Sequence, residues 1–349
     1  MYPTPIWDEK TLLVSGESCL FFGKEPVRLL FPAQEIIRIS NPLLGTVYQK
    51  DVHFTHTPGS DLVIPVPGSG ICGLPGGVFP DPATAKIFPA RGANAIKGGP
   101  DGKILLFDNG SFFARHQAIV DYKAVPGTVF PQLPALEAGQ LPRFCAKLKA
   151  GEEPLSCILI GDSISEGYNS SEFVKAFPYA PPYLNQFARA LKEKYRTHIS
   201  VTNGAIGGTG CGGSVRIRDR WLYPKCDLLM IAYGMNDFGG MSPEEYRDIV
   251  SGIVEQKRAL HPETEFILVS SMCRNPLWHG DISERSRAFA EALKSLAAPW
   301  CAVADVHTLW SWVLEKKNYY DLTGNGVNHP NDFGHQLYCK VLTELFRNI

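Results

Sequence analysis

No apolar run in this 349-residue sequence reaches the roughly 20 residues that cross a bilayer, so a transmembrane helix is not expected. Charge of either sign is not in excess: 34 Lys and Arg stand against 35 Asp and Glu, a formal net charge of −1. A chain so nearly neutral lacks the basic surface that holds phosphate backbones, and no nucleic-acid partner is expected. Cys-x-x-Cys pairs are absent, and the nine cysteines are an odd number scattered along the chain. Cys157, Cys226, Cys301 and Cys339 fall in apolar or amphipathic runs, where a thiol behaves as a small buried hydrophobe. Metal ligation and disulfides are therefore not expected, and no cofactor is called for. The opening Met1-Tyr2-Pro3-Thr4-Pro5-Ile6 has no basic segment leading into an apolar stretch. No secretory signal is read there, and the expected compartment is the cytoplasm. Repeats and low-complexity tracts are also missing.

What is present divides into two halves. Residues 1–150 read as β-structure, with frequent turn residues and short apolar runs at Val27–Phe31, Val47–Phe54, Asp61–Val66, Lys103–Phe107 and His116–Tyr122. Asp108-Asn109-Gly110 predicts a hairpin, because Asn-Gly tolerates the positive φ angles of a type I′ turn. The Pro/Gly-rich stretch 65–100 reads as loops, and the whole suggests an all-β sandwich of jelly-roll type. Residues 151–349 alternate strands and helices. Strand-like runs occupy Leu155–Ile160, His198–Val201, Leu228–Tyr233, Glu265–Ser270 and Cys301–Asp305, with amphipathic segments between them. Ser242-Pro243-Glu244-Glu245 opens one such helix with a cap serine, a first-turn proline and a glutamate three residues after the cap. Repeated βα units imply an α/β fold with a parallel sheet covered on both faces. The boundary falls near residues 126–142.

The ends of the second-half strands carry the chemistry. Leu155–Ile160 runs into Gly161-Asp162-Ser163, His198–Val201 into Asn203-Gly204-Ala205-Ile206-Gly207-Gly208, and Leu228–Tyr233 into Gly234-Met235-Asn236-Asp237. Asn328-His329-Pro330-Asn331 precedes the last helix. Open α/β sheets bind ligands outside the carboxyl ends of their strands, so these groups share one edge. A serine hydroxyl is a weak nucleophile until a neighbouring base takes its proton, and His329 is the candidate base for Ser163. A tetrahedral intermediate then needs donors aimed at its oxyanion. Asn236 offers two amide hydrogens, and glycines let the backbone N–H groups of Gly208 and Ser163 approach closely. Taken singly, a Gly-Asp-Ser turn, a Gly-x-Asn-Asp cap and a turn histidine are ordinary local structure. Turn chemistry does not account for all of them standing at strand ends and helix starts in this order.

These blocks resemble the SGNH (GDSL-type) hydrolases, a family named for a serine, a glycine, an asparagine and a histidine in four separate blocks. The matches are Ser163 in Gly161–Gly167, Gly208, Asn236 and His329, spread over residues 155–349. The resemblance implies a three-layer α/β/α domain, Ser163 as nucleophile, His329 as base, and an oxyanion hole from Gly208, Asn236 and the Ser163 N–H. The two-part plan is similar to bacterial carbohydrate esterases that carry a β-sandwich ahead of this domain. One departure stands out. The family usually places an aspartate three residues before the histidine, and here that residue is Gly326. Either Asp321 reaches back to orient the imidazole, or a backbone carbonyl or Asn325 does so and the machinery is a Ser-His dyad.

Gly208-Thr209-Gly210-Cys211-Gly212-Gly213 also matches Gly-x-Gly-x-x-Gly, but it follows the second strand of its half and opens no clear long helix, so dinucleotide binding is not read. His53 and His56 are three apart on a strand-like run and so point to opposite faces. The expectation is a metal-free serine esterase hydrolysing acyl esters, acetyl above all, on a small or oligosaccharide substrate. A lipid esterase or thioesterase of the same fold, or a carbohydrate-binding protein with an inactive hydrolase half, are the alternatives. The polar loops 166–171 and 272–279, the latter with Trp278, are the expected sugar contacts.

Overall fold

The computed structural model describes residues 6–151 and 154–349. Its second half is built on five parallel strands. In spatial order they are Ile199–Asn203, Leu155–Gly161, Leu228–Ala232, Glu265–Val269 and Cys301–Ala304. Each lies within two residues of the expected run at either end. The inner strands are buried on both faces, which is why they read as continuous apolar runs rather than alternating ones. Taken in chain order the strands run 2-1-3-4-5, so the connection reverses direction between Leu155–Gly161 and Leu228–Ala232. A doubly wound sheet opens its ligand crevice at such a reversal. Ser163 follows one of the two flanking strands and Asn236 the other.

Helices cover both faces. Tyr183–Tyr195 packs on the last helix, Asp332–Leu345, while Pro243–Leu260 packs on Ser283–Lys294. Right-handed crossovers send the two pairs to opposite sides, which gives three layers. The start of Pro243–Leu260 is a complete capping box. Ser242 Oγ accepts the Glu245 N–H at 3.1 Å, and Glu245 returns an acceptor to the Ser242 N–H at 2.7 Å.

The first half is antiparallel. Five strands lie in the order Trp7–Asp8, Leu13–Cys19, Ala118–Ala124, Ala33–Asn41 and Thr46–Tyr48. Val27–Arg28, Leu62–Pro65 and Phe54–Thr55 form a second, three-stranded sheet, and Ala95–Ile96 pairs with Leu105–Leu106. Two of the longest strands, Leu13–Cys19 and Ala33–Asn41, are absent from the sequence reading because they carry Glu17, Gln34, Glu35 and Arg38. Glu17 is fully buried all the same, because Lys317 meets it at 2.9 Å. A tertiary ion pair thus allows a charge where a strand pattern expects an apolar residue.

The hairpin expected at Asp108-Asn109-Gly110 does not form. Neither central residue has a positive φ. Instead Asp108 Oδ2 accepts the N–H groups of Gly110 at 2.9 Å and Phe112 at 2.8 Å, closing a turn that opens the helix Phe112–His116. Local side-chain capture of the backbone has won over strand pairing.

One apolar core runs from the antiparallel sheet into the α/β layers. Trp7 and Phe31 meet Trp312 at 6.4 and 5.9 Å between ring centroids. All nine cysteines are buried free thiols.

Candidate active site

Ser163 is the first residue of a short helix directly after the strand Leu155–Gly161. Asp162 caps that helix, accepting the Ile164 N–H at 3.0 Å, so the turn that presents Ser163 is fixed by its own neighbour. Burial pushes the Asp162 carboxyl up to about 7. His329 comes from the loop before the last helix, and its Nε2 lies 2.9 Å from Ser163 Oγ. Both residues are less than a tenth exposed. The edge of the His329 ring meets Tyr168 at 5.2 Å. Burial, with a smaller contribution from the neighbouring His335, drives the His329 imidazole down to about 3. The ring is therefore neutral near pH 7.

Orientation of His329 comes from a residue outside the sequence-based candidates. Its Nδ1 lies 2.9 Å from Asn169 Oδ1. The Asn169 amide nitrogen faces three backbone carbonyls, those of Asp108, Gly110 and Gly324, at 3.2–3.3 Å. Only the NH2 side of the amide can face three acceptors, so the oxygen must face the ring. Nδ1 then carries the proton and donates, leaving the Nε2 lone pair for the Ser163 hydroxyl. Asn169 itself sits at φ +62, a left-handed conformation that asparagine tolerates better than most residues.

None of the sequence alternatives for this role, Asp321, a backbone carbonyl or Asn325, occupies it, since Nδ1 meets the side-chain oxygen of Asn169. Asp321 is turned away, its carboxylate accepting the Leu20 and Asn318 N–H groups and lying 3.5 Å from Lys317 Nζ. Asn325 shapes the loop instead, its Oδ1 accepting the N–H groups of Val327, Asn328 and His329 at 3.0 Å. At Gly326 there is no room for an acid. Its φ is +83, and a Cβ there would stand 2.7 Å from Phe113 and 3.0 Å from the Leu106 carbonyl. The antiparallel half fills the space where the family's aspartate would start.

Gly208 lies on an exposed loop with φ +75 and open space where a Cβ would stand. That loop is tied down beside the turn that presents Ser163. Ile206 N–H donates to the Gly161 carbonyl at 3.0 Å, Gly207 N–H to Glu166 at 2.7 Å, and Cys211 N–H to Asp237 at 3.0 Å. Asn236 is exposed, and its Nδ2 donates to the Thr209 carbonyl at 3.0 Å, which holds it against the residue after Gly208.

The loops expected to contact sugar are largely turned inward. In the first, Glu166, Asn169, Ser170 and Ser171 all bond within the protein. In the second, Arg274 donates to the His279 carbonyl, Asn275 to the Gly326 carbonyl, and Trp278 Nε1 to the Lys97 carbonyl at 3.1 Å. Trp278 ties the two halves together rather than standing free as a platform. Tyr168, half-buried, is the side chain of these loops whose ring packs on His329. Its ring lies against His329 and Phe173, and its hydroxyl reaches to 3.3 Å from where a Gly207 Cβ would stand.

No curated protein matches the sequence. Among solved structures, similarity extends to an acetyl-xylooligosaccharide esterase from Geobacillus stearothermophilus, 19% identical, covering 55% of this chain and 94% of that one with a TM-score of 0.45. A two-domain esterase active on acetylated mannans is 20% identical, with 61% of this chain and 54% of that one covered and a TM-score of 0.46. A member of the lipolytic G-D-S-L family from Veillonella parvula is 19% identical, with 56% and 100% covered and a TM-score of 0.44. The family description GDSL-like lipase/acylhydrolase matches residues 159–337, just over half of the chain and all of the strand ends described above. The chain belongs to the GDSL-like lipase/acylhydrolase family and is a carboxylic ester hydrolase.

Proposed function

We propose that Ser163 is the nucleophile of this esterase, that it works through an acyl-enzyme, and that its substrate is a small acyl ester, acetyl above all, on a carbohydrate. The observation that carries the mechanism is the unbroken hydrogen-bond chain from Ser163 through His329 to Asn169. Ser163 Oγ attacks the ester carbonyl as its proton passes to His329 Nε2, while the Nδ1 proton stays on the ring and bonds Asn169 Oδ1. The backbone N–H groups of Ser163 and Gly208 and the Asn236 amide receive the developing oxyanion. His329 then returns its proton to the leaving alcohol, and the acyl group remains on Ser163. Water repeats the sequence in reverse, giving up a proton to Nε2 and releasing the carboxylic acid. An amide in the orienting position has a counterpart in the Cys-His-Asn arrangement of other hydrolases.

Support for a small acyl group is steric. Tyr168 closes the side of the site between His329 and Gly207, which leaves little width for a long chain there. An aromatic ring beside His329 also suits the apolar faces of sugars. Phe177 and Tyr179, exposed on the same loop with their rings in contact, favour a second reading, a longer acyl chain on an apolar surface. Catalytic efficiency across acetyl, butyryl, octanoyl and palmitoyl esters of one alcohol decides between them. Efficiency falling with length supports the acetyl reading, and efficiency rising with length replaces it. Ser163→Ala abolishes turnover while leaving the melting temperature near that of the parent. Near-normal turnover in that variant overturns the serine mechanism.

A further inference from the structure

We propose that Asp108, in the antiparallel half, is a positioning residue for the catalytic base and acts through Asn169. The proposal rests on the reading of His329 as base for Ser163. Asp108 Oδ2 accepts the Gly110 and Phe112 N–H groups at 2.9 and 2.8 Å, which closes the turn 108–112. Closing it brings the carbonyls of Asp108 and Gly110 to 3.3 and 3.2 Å from Asn169 Nδ2. Two of the three acceptors that face the amide therefore come from the half of the chain that holds neither Ser163 nor His329. The third is Gly324, from the loop that carries His329.

The consequence follows from the asymmetry of an amide. With its NH2 on the carbonyl side, Asn169 presents an acceptor to His329 Nδ1, and the ring's proton settles there. If the amide turned over, its oxygen would face three carbonyl oxygens and its NH2 would face Nδ1. The ring proton would then sit on Nε2, and Ser163 would lose its proton acceptor. The turn held by Asp108 thus selects the tautomer of the base. It also gives a reason for an amide rather than a carboxylate at this position, since a carboxylate has no donor for the three carbonyls. By this reading the antiparallel half is part of the catalytic apparatus although Asp108 touches no reacting atom.

Double-variant kinetics on the full chain test the proposal, together with nitrogen-15 spectra of histidine-labelled protein in which the His329 signal is assigned by its loss in His329→Gln. In the parent, His329 shows the tautomer protonated on Nδ1. Asp108→Ala lowers kcat on the order of 10-fold or more, within the roughly 10⁴-fold range seen when a base is held in the wrong tautomer, leaves KM nearly unchanged and mixes the His329 tautomers. Asp108→Asn, whose amide oxygen can accept the same N–H groups, restores most of the rate. In an Asn169→Ala background, Asp108→Ala has little further effect. Should the alanine variant not fold, Asp108→Leu, similar in size but without an acceptor, is read in the same way. An Asp108→Ala loss that persists in full without Asn169, or an unchanged tautomer, overturns the proposal. If the parent hydrolyses no ester, the functional reading fails, and the tautomer spectra still decide whether Asp108 sets the state of His329.

Discussion

Gly324 backs onto Asn169 so closely that a Cβ on Gly324 would stand 2.6 Å from Asn169 Cβ and 3.0 Å from its carbonyl oxygen. The same glycine carbonyl receives the Asn169 amide at 3.2 Å, and its N–H donates to the His329 carbonyl at 3.0 Å. The chain can hold the orienting amide here because no side chain intervenes. Gly324→Ala should push Asn169 away from the ring, at a cost of about 1–3 kcal/mol from overpacking. The expected result is a lower kcat together with a lowered melting temperature. Unchanged kcat in a folded variant would separate Asn169 from catalysis.

Removing the amide tests its role directly. Asn169→Ala should lower kcat by between about 10² and 10⁴, the upper bound being the loss from a base in the wrong tautomer. Asn169→Asp should behave in an unusual way. As a carboxylate it faces three carbonyl oxygens, but once protonated it is close in shape to the amide, with one donor and one acceptor. Its activity relative to the parent should therefore rise as pH falls. A relative activity that is flat or falls toward acid would contradict the geometry.

Restoring the family's usual acid should fail. A side chain at Gly326 meets Phe113 at 2.7 Å and must adopt φ +83. Gly326→Asp is expected to destabilise the fold by about 2–4 kcal/mol, from strain and overpacking together, with no gain in turnover. Denaturant unfolding and kcat measured on one preparation check both parts.

With His329 as the proposed base, the pH dependence of the parent follows from its burial. A histidine free in solution loses its base form below pH 6.5 or so. Burial holds the His329 imidazole at about 3, so the neutral base persists as the medium is acidified. The acid limb of kcat/KM, which reports the free enzyme, should lie well below 6.5. A limb centred near 6.5 would mean that the imidazole is far better solvated than the structure has it.

Asp321→Asn should leave kcat and KM unchanged, because Asp321 serves the junction of the two halves. Its carboxylate accepts the Leu20 N–H at 2.6 Å and the Asn318 N–H at 3.0 Å beside the buried Lys317. An amide can supply only one of those acceptors, and the stability loss should be about 2–3 kcal/mol. A large loss of turnover with an unchanged melting temperature would return Asp321 to the catalytic machinery.

The five parallel strands, their helices and the four motif residues could be read from the sequence because each is encoded locally. An apolar run of five or six residues marks a buried strand, and a glycine-rich or polar segment marks its end. Ser163, Gly208 and Asn236 each follow such a transition, and His329 stands in the turn-rich segment before the last helix. The antiparallel half was legible only in part, since Leu13–Cys19 and Ala33–Asn41 carry charges that make sense only with their partners in place. Asp108-Asn109-Gly110 fits a hairpin as well as a helix-opening turn, and nothing within three residues distinguishes them.

Asn169 had no local signal at all. It lies among polar residues in a loop, and its oxygen reaches His329 across 160 positions of the chain. What the sequence determined by itself was which residues could do chemistry and on which edge of the sheet they stand, because strand ends follow from short-range patterning. What only the tertiary structure decided was how the imidazole is held. That depends on Gly326 packing against Phe113, on Gly324 lying bare against Asn169, and on two carbonyls of a distant turn facing one amide. Hydrogen-bond polarity is a property of groups brought together in space, and it has no period that a linear pattern can carry.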